Sequence, residues 1–231
     1  MDKLIKSFYP NADDGKIVTK NCMDKLRNEH GFHTSKTIMA TSVCSDEIIR
    51  SSTNFRDYLG VETPFSMGGL SGFPFSGLTG LGAFTAHIPD DGFAVIIYGP
   101  HIGFTKEEKV GYVRRIGQAK ESTCCGALKA SVDALKNGTV GQRDSELDYQ
   151  QWKLEETLSR EEKQILAESH PIVEATEVMY KAIDQRIKTL LEKSANNLKN
   201  CKIALVGGVI INTDHELPDW FDLREFSVKS Y

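Results

Sequence analysis

The sequence predicts an α/β fold in which a mostly parallel β-sheet has helices on both of its faces. Three runs of β-branched and small apolar residues, at 36–44, 93–98 and 202–213, have the length of strands. None of them alternates apolar with polar residues, which indicates strands that are buried on both faces. Helical segments separate these runs along the chain, and strands that alternate with helices are typical of parallel sheets.

The first predicted element is a helix over about residues 13–29, where apolar residues recur at helical spacing and Gly31 supplies a stop. The strand that follows it ends at Cys44. Asp46 or the serine before it can cap a further helix, which would run to about Leu59.

The segment 66–84 contains six glycines and no charged residue. It is too rich in glycine for a regular element and too apolar for an ordinary surface loop, so we expect it to be buried or to cover another part of the protein. A Pro-Asp-Asp-Gly turn at 89–92 leads into the strand at 93–98, and a helix rich in small residues follows over 122–136.

The C-terminal part of the chain is predicted to be mainly helical. Residues 145–198 are highly charged, with apolar positions three and four residues apart and a break near Pro171. The strand at 202–213 then returns to the sheet, and we expect the aromatic tail at 217–226 to pack against the core.

Composition and charge exclude several classes of protein. Of the 231 residues, 40% are hydrophobic and 26% are charged, so the chain is too apolar to be disordered. The net charge of −4 gives no electrostatic reason to bind nucleic acid or an anionic membrane. No apolar run approaches the roughly 18 residues of a membrane span, and the N-terminal residues resemble neither a secretory signal nor a transit peptide. We therefore expect a cytoplasmic protein.

Thiol and imidazole side chains lie where the predicted strands end. Thiols in a reducing compartment are core residues, metal ligands or nucleophiles. For any one of the five cysteines taken alone, core packing is the better interpretation, because cysteine is among the residues most often buried. Cys44 ends the first strand, His101 follows the second, and Cys124 and Cys125 open the next helix. Ligands of open α/β sheets bind beyond the carboxyl ends of the strands, so one histidine and two cysteines can form an open zinc site there.

Asp46 adds a carboxylate to the same region. It lies two residues after Cys44, and Arg50 follows at the i,i+4 spacing that lets two helical side chains meet. A carboxylate held by arginine beside zinc can accept a hydrogen bond from a metal-bound hydroxide, or it can bind the metal itself. Taken alone, however, the pattern favours an ordinary surface ion pair.

Longer motifs have a more specific meaning. They are SVCSDEIIR, FSMGGLSGFPFSGLTGLGAF, AHIPDDG, YGPHIG, RIGQ and STCCGA. Through them the segment from Cys44 to Ala127 resembles the limiting CO2-inducible protein B/C (LCIB) family, a group of divergent β-type carbonic anhydrases. The late strand ALVGGVIINT and the aromatic tail are also similar, so the resemblance extends over most of the chain.

The resemblance implies a β-carbonic-anhydrase-like fold with Zn²⁺ bound by Cys44, His101 and Cys125. Cys125 is favoured over Cys124 because a glycine follows it, as in β-type enzymes. His101 is favoured over His87 because His87 precedes a turn instead of following a strand.

The resemblance also implies a catalytic Asp–Arg pair, whose aspartate matches Asp46. β-type enzymes usually carry Cys-x-Asp-x-Arg, but position 48 of this chain is isoleucine. Arg50 is therefore the candidate for a displaced arginine partner.

The implied activity is that of a carbonic anhydrase (carbonate dehydratase, a lyase), in which metal-bound hydroxide reversibly hydrates carbon dioxide to bicarbonate. Carbon dioxide needs a dry apolar pocket, and β-type enzymes build that pocket across a dimer interface, which implies at least a homodimer. The glycine-rich block is the candidate lining, with Phe65, Leu70, Phe73 and Phe75. We expect a single α/β zinc domain with an N-terminal helical arm (1–32), a metal-binding core (33–140) and a helical extension with a returning strand (141–231, strand 202–213).

Other functions fit parts of the sequence. A catalytically silent zinc protein that acts as a binding partner would keep the metal, with Asp46 on it in place of water. A nucleophilic enzyme would use Cys125 as a thiolate at a helix N-terminus beside His101. A phosphate-binding loop is disfavoured, because the glycine-rich block lacks the Walker lysine and does not run from a clean strand into a helix.

Overall fold

The computed structural model describes residues 1–49, 63–198 and 200–231. Nine strands lie in these ranges: β1 (Asp13–Asp14), β2 (Thr37–Ser42), β3 (Phe65–Ser66), β4 (Phe93–Tyr98), β5 (His101–Phe104), β6 (Tyr112–Val113), β7 (Ser122–Thr123), β8 (Lys202–Thr213) and β9 (Trp220–Ser230). Seven α-helices lie in the same ranges: α1 (Asp2–Phe8), α2 (Gly15–His30), α3 (Gly77–Thr85), α4 (Gly126–Asn137), α5 (Tyr149–Ser159), α6 (Glu162–Ala167) and α7 (Pro171–Ser194).

The main sheet confirms the predicted α/β class. Its strand order in the described part of the chain is β1-β9-β8-β4-β2-β3, with β5 also paired to β8. The pairings β3–β2, β2–β4, β4–β8 and β5–β8 are parallel, whereas β9 is antiparallel to both β8 and β1. All residues of β8 after the first are buried, and successive residues point to opposite faces, so both faces of this central strand are covered.

Strands β4 and β5 follow one another along the same edge of β8. Residues 93–98 pair with 202–207, and residues 101–104 pair with 210–213. Between β4 and β5, Gly99 approaches the backbone so closely that an added Cβ would lie 1.7 Å from the carbonyl oxygen of Gly208. Glycine is therefore required here, and the short Gly-Pro connection places His101 directly beyond the carboxyl end of β4.

The glycine-rich segment differs from its prediction, because residues 77–85 form the regular helix α3. Its more N-terminal part seals the carboxyl ends of the parallel strands, where Ser42 donates a hydrogen bond to the carbonyl oxygen of Gly72 at 2.9 Å. Gly72 has a φ of +83°, and a Cβ there would lie 2.4 Å from the carbonyl oxygen of Gly99. Packing against α7 lets α3 form despite its low intrinsic helix propensity.

The terminal helices and the last strand can be compared with the elements predicted from the sequence. Helix α2 is capped by the Asp14 side chain and ends at Gly31 in the left-handed conformation, close to the predicted limits. Pro171 starts α7 at its first turn, where proline's missing N–H costs nothing. The aromatic tail becomes β9, because pairing along nearly the whole of β8 satisfies its backbone groups.

Most of the helix expected to end at Leu59 lies outside the described residues. No helix in the described ranges is long and apolar enough to cross a membrane.

Candidate metal centre

Parallel pairing brings two of the predicted metal ligands to the same level of the sheet. Ser42 at the end of β2 is in register with Tyr98 at the end of β4. Cys44 lies two residues beyond Ser42, and His101 lies three residues beyond Tyr98, so both side chains emerge at the carboxyl edge of the sheet.

The third predicted ligand arrives from a helix. Cys125 is the N-cap residue of α4, and its Sγ lies 3.8 Å from the Sγ of Cys44. One donor atom from each of Cys44, His101 and Cys125 lies within 4.8 Å of the others, and all three residues are buried. The structure thus brings together the three residues that were predicted from the sequence as metal ligands.

These residues fit a zinc ion. The Nε2 atom of His101 is buried and has no hydrogen-bond partner among the described residues, a costly arrangement unless a ligand uses its lone pair. Thiolate and imidazole are the donors that Zn²⁺ prefers, and three protein ligands leave a fourth tetrahedral position open.

Hydrogen bonds, charges and burial within the cluster shift the pKa values of all three side chains. The pKa of Cys125 is lowered, chiefly by the hydrogen bond with Cys44 and also by backbone N–H groups at the start of α4. The same hydrogen bond, together with burial, raises the pKa of Cys44. For His101, burial opposes the charged form, but the neighbouring Cys124 and Cys44 outweigh it and raise the pKa. Metal binding to such a cluster releases protons and weakens as the pH falls.

A second set of donors overlaps the first. An Asp46 carboxylate oxygen, a His101 ring nitrogen and the Cys124 sulfur also lie within 4.8 Å of one another. The Sγ of Cys124 is 3.3 Å from Nδ1 of His101. Asp46 is therefore close enough to the cluster to act on a molecule bound there.

Asp46 is paired with Arg115, which the sequence did not single out as its partner. A guanidinium N–H of Arg115 donates to Oδ2 of Asp46 at 2.7 Å, and both side chains are largely buried. Arg115 also donates to Glu47 at 3.0 Å and to the carbonyl oxygen of Thr123 at 3.3 Å. Arg50, the partner expected from spacing, lies outside the described residues. The sequence feature that could have indicated Arg115 was the RIGQ motif, because Arg115 is its first residue.

The charge state of Asp46 follows from this environment. Burial favours the neutral carboxyl group, but the charges of His101 and Arg115 and the Ile48 backbone N–H hold the pKa of Asp46 below its ordinary value. Asp46 and Arg115 are 69 positions apart in the sequence. Arg115 lies in the loop between β6 and β7, and its hydrogen bond to the carbonyl oxygen of Thr123 in β7 helps to hold it beside Asp46.

The other residues singled out from the sequence lie as follows. His87 is exposed just after α3 and belongs to neither donor set. The rings of Phe73 and Phe75 contact each other with centroids 5.1 Å apart, and Phe65 lies 5.6 Å from Phe84. The backbone N–H of Leu70 donates to the side-chain oxygen of Gln150 at 2.8 Å, so this apolar block is anchored to α5.

Comparison with known proteins identifies the family. The sequence profile of the limiting CO2-inducible proteins B/C β-carbonic anhydrases matches residues 17–230. The chain belongs to this family. The crystal structure of PtLCIB4, a homologue of the limiting CO2-inducible protein LCIB, has a TM-score of 0.90 and 33% sequence identity over 100% of this chain and 96% of that one. A histidine-to-alanine point mutant of PtLCIB4 has a TM-score of 0.89 and 32% identity over 99% of this chain and 93% of that one.

A more distant LCIB structure has the same fold. The limiting CO2-inducible protein LCIB itself matches with a TM-score of 0.70 and 21% identity over 96% of this chain and 92% of that one. Comparison with the curated proteins gave no match. Within the LCIB family the fold is thus shared at low sequence identity, and the chemistry of this member depends on its own residues.

Proposed function

We propose that this LCIB-family protein is a zinc-dependent carbonic anhydrase that reversibly hydrates carbon dioxide to bicarbonate. The observation that carries the proposal is the buried cluster of Cys44, His101 and Cys125, with donor atoms within 4.8 Å and the Asp46–Arg115 pair beside it. Membership of a family described as β-carbonic anhydrases supports the same reaction.

In this proposal Cys44, Cys125 and Nε2 of His101 hold the metal. When bound, Zn²⁺ supplies a Lewis acid that lowers the pKa of water to about 7. The thiols give up their protons on binding, and burial of all three residues keeps bulk water from competing for the donor atoms.

Asp46 then acts as the acceptor that orients the attacking water. Its Oδ2 is occupied by Arg115, and its Oδ1 accepts from the Ile48 N–H only at 3.3 Å, which leaves acceptor capacity on the carboxylate. A water that donates one hydrogen bond to Asp46 has a lone pair directed elsewhere, toward the carbon of carbon dioxide. Water adds its oxygen to that carbon, one proton leaves to solvent, and bicarbonate is the product.

We propose that the apolar block around Phe65, Leu70, Phe73 and Phe75 supplies the dry surface for carbon dioxide. Support comes from Gly72 and Ser42, which join this block to the strand ends that carry the metal ligands. Excluding water strengthens the electrostatic interactions of Asp46 and limits competition for the substrate position.

One observation favours a second candidate, a catalytically silent zinc protein. The oxygen of Asp46 clusters with His101 and Cys124, so this carboxylate can reach a metal held nearby. An Asp46 that occupied the fourth position would exclude water and leave a zinc protein that acts through binding.

The deciding experiment measures zinc content and carbon dioxide hydration together. We expect about one zinc per chain, the number that one site can hold, and turnover in stopped-flow assays that disappears after chelation and returns with added Zn²⁺. The rate should rise with pH through about 7, because the nucleophile forms when water loses a proton.

Each alternative result identifies a different function. Full zinc occupancy without turnover at any pH between 7 and 9 would select the silent zinc protein. Absence of zinc, combined with rapid alkylation of Cys125 at neutral pH, would select the cysteine nucleophile.

We also propose that the protein works as a homodimer in the cytoplasm, where thiols remain reduced. Support for self-association comes from Ile116, which is 83% exposed beside Arg115 in the site, and from Leu147, which is 88% exposed. Isolated apolar residues are common on surfaces, so the proposal requires a test of mass.

Sedimentation should give twice the 25.7 kDa mass of the chain. Ile116→Glu should shift the population toward monomer, because a buried charge without a partner is costly at an interface. Ile17→Glu, which changes an isoleucine 53% exposed on α2, is the matched control and should remain dimeric. A monomeric wild type at micromolar concentration would overturn the dimer.

A further inference from the structure

The two ring nitrogens of His101 have different surroundings. Nδ1 lies 2.9 Å from Oδ1 of Asn212, whereas Nε2 is buried without a hydrogen-bond partner in the described ranges. Neutral imidazole carries a proton on only one nitrogen, so the hydrogen bond at Nδ1 determines whether Nε2 has a lone pair to offer a metal.

A second carboxylate fixes the orientation of Asn212. The Nδ2 of Asn212 donates to Oδ2 of Asp219 at 3.3 Å, and a carboxylate accepts but does not donate. The other oxygen of Asp219 accepts from the backbone N–H of Thr213 at 2.9 Å, which holds the carboxylate in place. The amide nitrogen of Asn212 therefore faces Asp219, and its carbonyl oxygen faces His101.

The contacts of Cys124 agree with this direction. Its Sγ lies 3.6 Å from Oδ1 of Asn212, so the thiol donates to the same carbonyl oxygen that accepts from His101. Asn212 and His101 are both fully buried. In the parallel pairing of β5 with β8, His101 is opposite Ile210, which places Asn212 two residues further along on the same face.

We infer that Asp219 and Asn212 are positioning residues that hold the Nδ1 proton of His101 and so leave Nε2 unprotonated for the metal. The inference rests on the proposed function only in naming zinc as that metal. The order of donors and acceptors from Asp219 through Asn212 to His101 follows from the contacts of this chain itself. Outer partners of this kind typically change metal affinity by about 10- to 100-fold.

Reversing the polarity of this chain of hydrogen bonds gives the sharpest test. In Asp219→Asn, the new carbonyl oxygen keeps the Thr213 contact, and the new amide nitrogen faces the amide nitrogen of Asn212. Asn212 must then turn over and present its own amide nitrogen to His101, which moves the ring proton to Nε2. We expect zinc affinity, measured by competition with a chelator, to fall by about 10- to 100-fold.

The double variant Asp219→Asn/Asn212→Asp should restore the wild-type arrangement. Asn at 219 donates to one carboxylate oxygen at 212, and the other oxygen accepts from Nδ1 of His101. We expect zinc affinity to return to within about threefold of wild type, against the 10- to 100-fold loss of the single variant. Asp222→Asn is the matched control, because Asp222 is a buried β9 carboxylate that pairs with Arg224 at 2.7 Å. It should leave zinc affinity unchanged even if it lowers thermal stability.

Long-range ¹H–¹⁵N NMR of the histidine rings supplies a readout that does not depend on turnover or on zinc. At a pH high enough for the imidazole to be neutral, the wild type should carry the ring proton on Nδ1 of His101, and Asp219→Asn should carry it on Nε2 instead. If the wild type binds no zinc, the proposed function fails while this spectrum of the metal-free protein still decides the positioning role. A wild-type Nδ1 without a proton, or an Asp219→Asn variant with wild-type affinity and an intact Nδ1 proton, would overturn the inference. Lost affinity that the double variant does not restore would also overturn it.

Discussion

Cys44→Ser is expected to abolish carbon dioxide hydration and to lower zinc affinity by two to three orders of magnitude. A serine hydroxyl stays protonated at neutral pH and is a poor ligand for Zn²⁺, so one donor is lost from the cluster that Cys44 forms with His101 and Cys125. If roughly 10–16 kcal/mol of zinc binding is divided over four ligands, one ligand contributes about 2.5–4 kcal/mol, on the order of 10²–10³-fold in affinity. Metal analysis and chelator competition measure the loss.

Cys22→Ser is the matched control for this variant. Cys22 is also a buried thiol, but it lies on α2 and belongs to neither donor set. It should cost stability without changing zinc content. Equal zinc loss in both variants would indicate general unfolding, and retained zinc in Cys44→Ser would remove Cys44 from the site.

The same assay separates the two adjacent cysteines. Cys125→Ser should match Cys44→Ser, because the two sulfurs are 3.8 Å apart and share the cluster with His101. Cys124→Ser should keep the metal, since the Cys124 thiol contacts Nδ1 of His101 and Oδ1 of Asn212. The reverse result would assign the metal to the donor set that contains Asp46.

Arg115→Ala is expected to lower kcat by about 10²-fold while zinc content stays at the wild-type value. The guanidinium group anchors Asp46 at 2.7 Å, and a misplacement of about 1 Å in a reacting group can cost about this factor. Arg115→Lys keeps the charge but loses the planar fork that contacts Asp46, Glu47 and Thr123 at once, so an intermediate kcat is expected. Stopped-flow kinetics at known zinc content measures both variants.

Two arginines serve as comparisons. Arg114→Ala removes the neighbouring side chain, which pairs with Glu107 at 3.1 Å, and should leave kcat near wild type. Arg50→Ala tests the partner that spacing suggested. A large loss in Arg50→Ala together with wild-type activity in Arg115→Ala would reassign the role to Arg50.

Local patterns in the sequence determined the main elements of this protein. Runs of β-branched residues located β2, β4 and β8, and their continuous apolar character predicted a parallel sheet covered on both faces. The candidate ligands Cys44 and His101 could be predicted because each follows a strand, and Cys124 and Cys125 because they open a helix. The choice of Cys125 over Cys124 came from the resemblance to the LCIB family. These features depend on neighbours a few residues apart, which is the range over which periodicity carries information.

Only the tertiary structure decided how distant residues pair. Arg115 meets Asp46 across 69 residues, and Asn212 meets His101 across 111, because strand pairing and loop packing bring them together. Helix α3 in the glycine-rich block and strand β9 in the aromatic tail likewise form because surrounding strands and helices outweigh weak local propensity. The sequence by itself thus determined which side chains reach the edge of the sheet. The partners that orient Asp46 and His101 depended on contacts between segments far apart in the chain, which no local pattern encodes.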